Sequence, residues 1–209
     1  MIKYVPNILT CARLLLTVIF LIMLVYSPQV EGNQRWLFID VIFVLFLIAG
    51  LTDIVDGKIA RQFNATSKLG RILDPLADKI LVCGSFAVFA YIGQPTFFAL
   101  DGFFLHIILW LVFFIITTRE IYVTVVRQIA ESKGISFPAV FSGKIKMFLQ
   151  SFAIGTVLIK YAHVHKAAWA QWFTLIVYLL MLTVTILSGL HAHKRMQQIR
   201  EKQPARSPV

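Results

Sequence analysis

Long uncharged apolar runs constrain this chain more than any other feature of its sequence. About 20 apolar residues are needed to cross the hydrocarbon core of a bilayer, and such runs recur along the whole chain. Charged residues make up only 14% of the 209 residues, whereas a soluble domain has about a quarter. The sequence therefore predicts an all-α integral membrane protein with six transmembrane helices. The predicted spans cover residues 8–26, 36–56, 73–92, 102–126, 139–160 and 167–191.

Basic residues gather in alternate loops between the predicted spans. Most of them fall on the side of the two termini, and the opposite loops hold only Arg35, Lys160 and Lys166. Cytoplasmic loops of membrane proteins carry an excess of Lys and Arg, so both termini are predicted to be cytoplasmic. This topology accounts for the net charge of +10 without a nucleic-acid partner. We predict a transmembrane catalytic domain, residues 1–192, followed by a basic cytoplasmic tail, residues 193–209.

The fifth predicted span has an uncharged stretch of residues 147–159 only. This stretch is too short to cross a bilayer alone, so residues 143–146 are predicted to lie at membrane depth or just outside it. Lysines at that depth either snorkel to the interface or face a polar cavity, and the sequence leaves both open. Glu120, in the fourth span, leaves a similar choice between an ion pair with a neighbouring cation and a contact with substrate.

Four of the ten acidic residues stand close together in this apolar sequence, at Asp53, Asp56, Asp74 and Asp78. The first two are three apart and the last two are four apart, so each pair shares one face of a helix. Ionised carboxylates near a bilayer are costly unless something pairs with them, and oxygen ligands favour hard cations such as Mg²⁺ or Mn²⁺. We predict a metal-dependent catalytic centre. The alternative is a set of interfacial carboxylates paired with Arg61, Arg71 and Lys79.

The spacing Asp53-x2-Asp56-Gly57-x2-Ala60-Arg61-x8-Gly70-x3-Asp74-x3-Asp78 resembles the motif of the CDP-alcohol phosphotransferase family. Similarity to the bacterial phosphatidylglycerophosphate synthase branch extends to residues 6–13, 73–79, 118–120 and 142–146 and to Arg127, and it covers roughly residues 4–190. The resemblance implies a six-helix fold with a polar cavity open to the cytoplasm. It also implies a multi-pass protein of the bacterial inner membrane and a homodimer.

The resemblance implies a reaction at the membrane surface between CDP-diacylglycerol and a small alcohol. In the branch that the sequence resembles, the alcohol is sn-glycerol 3-phosphate, and the products are phosphatidylglycerophosphate and CMP. Family pattern assigns two Mg²⁺ or Mn²⁺ ions to Asp53, Asp56, Asp74 and Asp78, and it also makes Asp78 the general base.

The resemblance extends to residues that would bind the two substrates. Those assigned to CDP-diacylglycerol are Asn7, Thr10, Arg13, Gly57, Ala60, Arg61 and Gly70. The acceptor brings a dianionic phosphate and needs cations of its own, for which the candidates are Arg119, Arg127, Lys144 and Lys146. Arg119 and Arg127 are eight apart, about two helical turns along one face. The alternative for these cations is an interfacial role in which they snorkel or contribute to the positive-inside charge.

Two further classes of function stay open. Relatives within the family use other acceptors, namely phosphatidylglycerol, serine or inositol phosphate. The candidate cations favour an acceptor with a phosphate monoester, which makes inositol phosphate the closest rival. An ion transporter would be expected to spread its charges toward both faces of the membrane. The outer halves of the predicted spans are nearly free of charge, which favours a site on one side.

Overall fold

The computed structural model describes residues 5–62, 68–98, 100–132, 141–164 and 167–202. In several helical stretches, 53–62 and 68–75 among them, the description covers the backbone alone. The described residues form no strand and six α-helices: α1 Val5–Tyr26, α2 Arg35–Gln62, α3 Lys68–Ile92, α4 Gly102–Ser132, α5 Phe141–His163 and α6 Ala168–Lys202. Two short 3-10 helices, Ser27–Gln29 and Gly32–Gln34, connect α1 to α2. The prediction of an all-α protein is confirmed.

Five of these helices are long and apolar enough to cross a bilayer, judged over the described residues. Large apolar side chains cover the outside of the bundle; Phe103, Phe148 and Trp169 are 69%, 67% and 66% exposed. A soluble monomer rarely exposes so much apolar surface, and the chain is a multi-pass membrane protein. A sixth span along α3 stays a prediction. The five stretches are Thr10–Gln29, Arg35–Thr52, Gly102–Ala130, Gly143–His163 and Ala168–Gln198.

The six helices form a ring around one apolar core. Helix α1 packs against α2 and α3, α4 packs against α3 and α6, and α5 contacts α2, α6 and α3. Lipid tails are as apolar as core side chains, so close van der Waals packing rather than burial from water holds such helices together. A Cβ added to Gly84 of α3 would lie 2.8 Å from Leu21 Cδ1 of α1. The core includes Phe20, Phe46, Phe86, Phe89, Ile154 and Leu158.

Helix α6 continues to Lys202, beyond the predicted end of the sixth span at residue 191. The continued part packs against the end of α4, where Val126 and Ala130 are buried and Met196 lies against them. The apolar pattern of the sequence stops earlier because this contact needs only isolated apolar residues. The part of the predicted tail up to Lys202 is therefore helical.

At the end of the bundle opposite the chain termini, hydrogen bonds hold the loop between α3 and α4 in place. Helix α3 ends at Ile92 and is followed by Gly93, whose φ is 68°. The Gln94 N–H donates to the Phe89 carbonyl at 2.9 Å, which is the hydrogen bond of a Schellman motif. The Lys160 ammonium of α5 then donates to the Thr96 carbonyl. The first bond caps α3, and the second holds the connection between α3 and α4 against α5.

Candidate functional site

Four charged side chains from four different helices gather inside the bundle at the end that carries the termini. They are Arg13 of α1, Asp78 of α3, Glu120 of α4 and Lys146 of α5. Arg13, Glu120 and Lys146 are only 2%, 8% and 5% exposed, and Asp78 is partly buried. Charges removed from water cost free energy unless each finds a partner. Their concentration at one end marks a candidate functional site.

Glu120 is the centre of this cluster. Its Oε1 accepts a hydrogen bond from Lys146 Nζ at 2.5 Å and another from Arg119 Nη1 at 3.1 Å. Arg119 Nη2 also donates to Ser188 Oγ of α6 at 2.7 Å. The three hydrogen bonds connect α4 to α5 and to α6. The ion pair that the sequence left open for Glu120 is confirmed.

A cavity of about 340 Å³ has Asp78 and Arg13 in its wall. The rest of the wall comes mainly from apolar side chains of α2, α3 and α5, among them Phe46 and Phe148. Asp78 interacts electrostatically with Lys146, Glu120 and Arg13. A guanidinium can hold an oxyanion, and a carboxylate can accept a proton from a nearby hydroxyl. The cavity therefore offers both functions to a ligand that contains phosphate and hydroxyl groups.

The aspartate motif lies where α2 ends and α3 begins. Residues Asp53, Asp56, Gly57, Ala60 and Arg61 belong to the last turns of α2, and Gly70 and Asp74 belong to the first turns of α3. For these seven residues the structure describes the backbone only. Because both segments are helical, the members of each aspartate pair share a helix face. Asp78 is one turn farther along α3, and it is the aspartate of this motif whose side chain is described.

The donor set of the motif suits a hard divalent cation. Four carboxylates offer the oxygen ligands that Mg²⁺ and Mn²⁺ prefer. Among the side chains that the structure describes, no three His, Cys, Asp or Glu residues group as metal ligands. Only Asp78 of the four aspartates belongs to that described set. The chemistry of the four residues thus fits the predicted metal centre, which stays a prediction.

The residues predicted to bind CDP-diacylglycerol from α1 lie along its first turns. Thr10 and Arg13 are both 2% exposed and point into the bundle. Asn7 is helical, and its side chain is outside the described part. Arg13 is the member of this set that reaches the wall of the Asp78 cavity.

The four candidate acceptor-binding cations fall into two groups. Lys146 and Arg119 are joined through Glu120, and their side chains are 5% and 12% exposed. Arg127 and Lys144 have exposed side chains. Lys146 therefore faces the polar interior of the bundle, which was one of the two alternatives for this end of α5. The exposed position of Lys144 also fits the alternative of a lysine at the membrane interface.

Two residues of α6 belong to the site and were not expected there. Ser188 is 4% exposed and accepts the hydrogen bond from Arg119 described above. A Cβ added to Gly189 would lie 3.2 Å from Arg119 Cγ, so this position also leaves room for the arginine stem. Small residues are common where transmembrane helices pack. A Ser-Gly pair in an apolar span is for that reason no specific signal of a site.

A family model described as CDP-alcohol phosphatidyltransferase matches residues 3–197. The chain belongs to the CDP-alcohol phosphatidyltransferase family. The resemblance carried by the aspartate motif is thereby confirmed at the level of the family.

Several bacterial proteins are similar to this member of the CDP-alcohol phosphatidyltransferase family. Probable phosphatidylglycerophosphate synthase of Mycobacterium tuberculosis is 33% identical over 149 residues, which cover 71% of this chain and 63% of the relative. CDP-diacylglycerol–glycerol-3-phosphate 3-phosphatidyltransferase of Bacillus subtilis is 32% identical over 160 residues, or 74% of this chain and 76% of the relative. Cardiolipin synthase (CMP-forming) of Streptomyces coelicolor is 39% identical over 80 residues, or 37% and 34%. The chain thus spans less than two thirds of the mycobacterial relative.

Proposed function

We propose that this protein transfers a phosphatidyl group from CDP-diacylglycerol to sn-glycerol 3-phosphate, with CMP as the second product. The observation that carries the proposal is the position of Asp78 in a cavity wall, within electrostatic range of Lys146. Lys146 is in turn joined to Arg119 through Glu120. The reaction needs a base for the acceptor hydroxyl and cations for the acceptor phosphate. The names of the mycobacterial and Bacillus relatives support the same reaction.

In the proposed reaction, an acceptor hydroxyl oxygen attacks the phosphorus atom that bears diacylglycerol. The bond between that phosphorus and the oxygen of CMP breaks, and CMP departs with the electron pair. Asp78 takes the proton of the attacking hydroxyl as general base. Lys146 and Arg119 hold the acceptor phosphate through charge-assisted hydrogen bonds, and Arg127 and Lys144 add positive charge from the surface. Arg13 contacts the diphosphate from the cavity wall.

We propose Mg²⁺ or Mn²⁺ as the cofactor, two ions held by Asp53, Asp56, Asp74 and Asp78. When bound, the ions neutralise the diphosphate at both the attacked and the leaving phosphate. EDTA is expected to stop CMP release, and an excess of either metal is expected to restore it. The preformed magnesium complex of EDTA is the control. Full activity in metal-free EDTA contradicts the metal assignment. The nucleotide side of the site is assigned to Asn7, Thr10, Gly57, Ala60, Arg61 and Gly70.

We further propose that the protein lies in the bacterial inner membrane and that its site faces the cytoplasm. We also propose that it is a homodimer. The loop charges support this orientation through the positive-inside rule, and the dimer follows from the family resemblance alone. A C-terminal reporter enzyme that folds only in the cytoplasm is expected to be active. Light scattering on the detergent-solubilised protein is expected to give twice the chain mass of 23.8 kDa. A periplasmic reporter signal would contradict the proposed orientation. A monomer mass would contradict the proposed homodimer.

The test of the proposed activity is release of CMP from CDP-diacylglycerol by purified protein in lipid vesicles with Mg²⁺. Glycerol 3-phosphate, inositol phosphate, phosphatidylglycerol and serine are supplied at equal concentration in separate reactions. Turnover with glycerol 3-phosphate is expected to exceed that with phosphatidylglycerol or serine by at least about tenfold, because neither of them offers a phosphate monoester to the buried cations. Inositol phosphate also has a phosphate monoester, so its comparison with glycerol 3-phosphate decides between these two acceptors. Vesicles without protein are the control. Faster turnover with another acceptor would mean that this acceptor, and not glycerol 3-phosphate, is the substrate.

Phosphatidylglycerol is the second candidate acceptor because of the partial match to a cardiolipin synthase. That match covers 37% of this chain, and phosphatidylglycerol has no phosphate monoester for the Lys146–Arg119 pair. Among the described residues, Lys160 is buried at the opposite end but contacts only neutral groups. An ion transporter is disfavoured because the buried charges that interact with one another lie at one end. Beyond them, the core is filled by apolar side chains such as Phe46, Phe86 and Phe89.

A further inference from the structure

We infer that Glu120 and Ser188 are positioning residues that hold the Lys146 ammonium and the Arg119 guanidinium in one fixed geometry for the acceptor phosphate. The inference rests on the proposed function, which assigns the acceptor phosphate to these two cations. It adds two residues, one of them on α6, that do not themselves touch the reacting atoms.

The first observation is that one oxygen of Glu120 serves both cations. Its Oε1 lies 2.5 Å from Lys146 Nζ and 3.1 Å from Arg119 Nη1. The three side chains are 10%, 5% and 12% exposed, so water screens them little. Two cations that close repel each other, and the carboxylate between them offsets that repulsion. The cluster keeps one net positive charge, and Lys and Arg keep N–H donors for a further anion.

The second observation is that Ser188 holds the other edge of the same guanidinium. Its Oγ accepts from Arg119 Nη2 at 2.7 Å and donates to the Thr185 carbonyl at 3.0 Å. Because the hydroxyl proton is directed at Thr185, the Ser188 oxygen is free to accept from the arginine. Glu120 and Ser188 thus bind different nitrogens of Arg119 from two helices. The guanidinium plane is fixed before any ligand arrives.

Fixed cations bind a phosphate more tightly than mobile ones. Long Lys and Arg side chains lose rotamer entropy when they are immobilised, and a preorganised site does not incur that cost on binding. Loss of either positioning residue should therefore weaken acceptor binding. The liponucleotide should bind as before, because its contacts are assigned to other residues, on α1, on α2 and at the start of α3. A residue with a purely structural role would not separate the two substrates in this way.

The experiment compares Ser188→Ala and Glu120→Gln with the wild-type protein in lipid vesicles. Ser188→Ala is expected to raise the KM for glycerol 3-phosphate roughly 5- to 20-fold, and Glu120→Gln roughly 10- to 100-fold. The KM for CDP-diacylglycerol should stay within about twofold. The Kd for glycerol 3-phosphate, measured from its shift of the thermal unfolding midpoint without CDP-diacylglycerol, should rise in parallel. Glu120→Asp, which keeps the charge, should recover part of the loss.

Thr183→Ala is the matched control on the same helix. Its hydroxyl donates to the Leu179 carbonyl within α6 at 2.8 Å and is exposed, so both KM values should be unchanged. If Glu120→Gln does not fold, Ser188→Ala decides the matter because it leaves every charge in place.

The outcomes separate this inference from the proposed function. Equal increases in both KM values, or a loss of kcat at unchanged KM, would overturn the positioning role. If the wild-type protein turns over glycerol 3-phosphate and both variants keep its KM, the inference fails alone. If the wild-type protein binds glycerol 3-phosphate without releasing CMP and the variants bind it more weakly, the proposed function fails alone. A wild-type protein that neither binds nor uses glycerol 3-phosphate removes both.

Discussion

Each end of the helical bundle has a carboxylate paired with a side-chain nitrogen base, but the two pairs differ in their exposure to water. At the end away from the termini, Asp40 and His163 lie 2.9 Å apart and are 40% and 45% exposed. At the other end, Glu120 and Lys146 lie 2.5 Å apart and are 10% and 5% exposed. An exposed pair contributes little because water screens it, whereas a buried cluster is costly to assemble. A fold that maintains the costly arrangement at one end supports the proposal that the chemistry occurs there.

Helix α5 shows that burial alone does not distinguish the two ends. Lys146 and Lys160 are both buried, at 5% and 4% exposure. Lys160 donates to the Thr96 carbonyl and lies over the Phe97 ring, 5.3 Å from its centroid. Both partners are neutral, and the contact fastens a loop. Lys146 instead binds a carboxylate that also holds Arg119. The two lysines therefore differ in the charge of their neighbours, which supports the proposal that Lys146 binds the acceptor and that Lys160 holds a loop.

Substitution of one aspartate at each end should show the largest difference. Asp78→Asn removes the proposed base and is expected to lower the rate of CMP release about 10²- to 10⁴-fold, with CDP-diacylglycerol binding partly retained. Asp40→Asn removes only an exposed carboxylate and should leave the rate within about twofold. The rate is measured at saturating concentrations of both substrates. Turnover at the wild-type rate in Asp78→Asn would remove Asp78 as the base.

Substitution of the two buried lysines of α5 should give the second-largest difference between the two ends. Lys146→Met is expected to raise the KM for glycerol 3-phosphate roughly 10- to 100-fold, as for the loss of a charge-assisted hydrogen bond. Lys160→Met should leave both KM values unchanged and lower the thermal unfolding midpoint, because it releases the loop at Thr96. Steady-state kinetics and thermal unfolding are measured on the same preparations. Equal changes in KM for the two variants would contradict the assignment of Lys146 to the acceptor.

Substitution of one exposed arginine at each end should give a smaller difference in KM than substitution of the lysines. Arg127→Ala is expected to raise the KM for glycerol 3-phosphate about 3- to 10-fold, and this effect should shrink as salt screens the exposed charge. Arg35→Ala, at the opposite end, removes a contact with the Tyr161 ring, 4.6 Å from its centroid, and should leave both KM values unchanged. The kinetics are compared at low and high ionic strength. Equal effects of Arg127→Ala on both substrates would place this arginine outside the acceptor site.

The apolar spans and the one-sided distribution of charge could be predicted because both are local patterns in the sequence. Helix α4 begins at Gly102 and α1 ends at Tyr26, as the apolar runs predict. The spatial partners of the site residues could not be predicted in this way. Lys144 and Lys146 look alike in the sequence, but residues two apart are rotated by about 200° around a helix. Only the packed bundle shows that Lys146 faces Glu120 while Lys144 is exposed.

The same limit applies to the contact between α4 and α6. Arg119 could be singled out as a cation within an apolar span, where a charge needs a reason. Ser188, 69 positions along the chain, has no charge and no motif around it. Its role becomes visible only when α6 is packed against α4. The metal assignment of the aspartate motif depends on the family resemblance, and it stays a prediction.

The exposed pair of Asp40 on α2 and His163 on α5 should contribute the smallest energy of the interactions compared. In a double-mutant cycle with Asp40→Asn and His163→Gln, the coupling energy is expected to be below about 1 kcal/mol, because both side chains are about 40% exposed or more. It is measured by equilibrium unfolding in mixed detergent micelles, with CMP release as a check that all three variants keep activity. The corresponding cycle with Glu120→Gln and Lys146→Met should give a larger coupling, since both side chains are shielded from water. A coupling as large between Asp40 and His163 would mean that exposure to water does not set the strength of these two pairs, and the difference between the ends would then rest on the charge of the neighbouring residues alone.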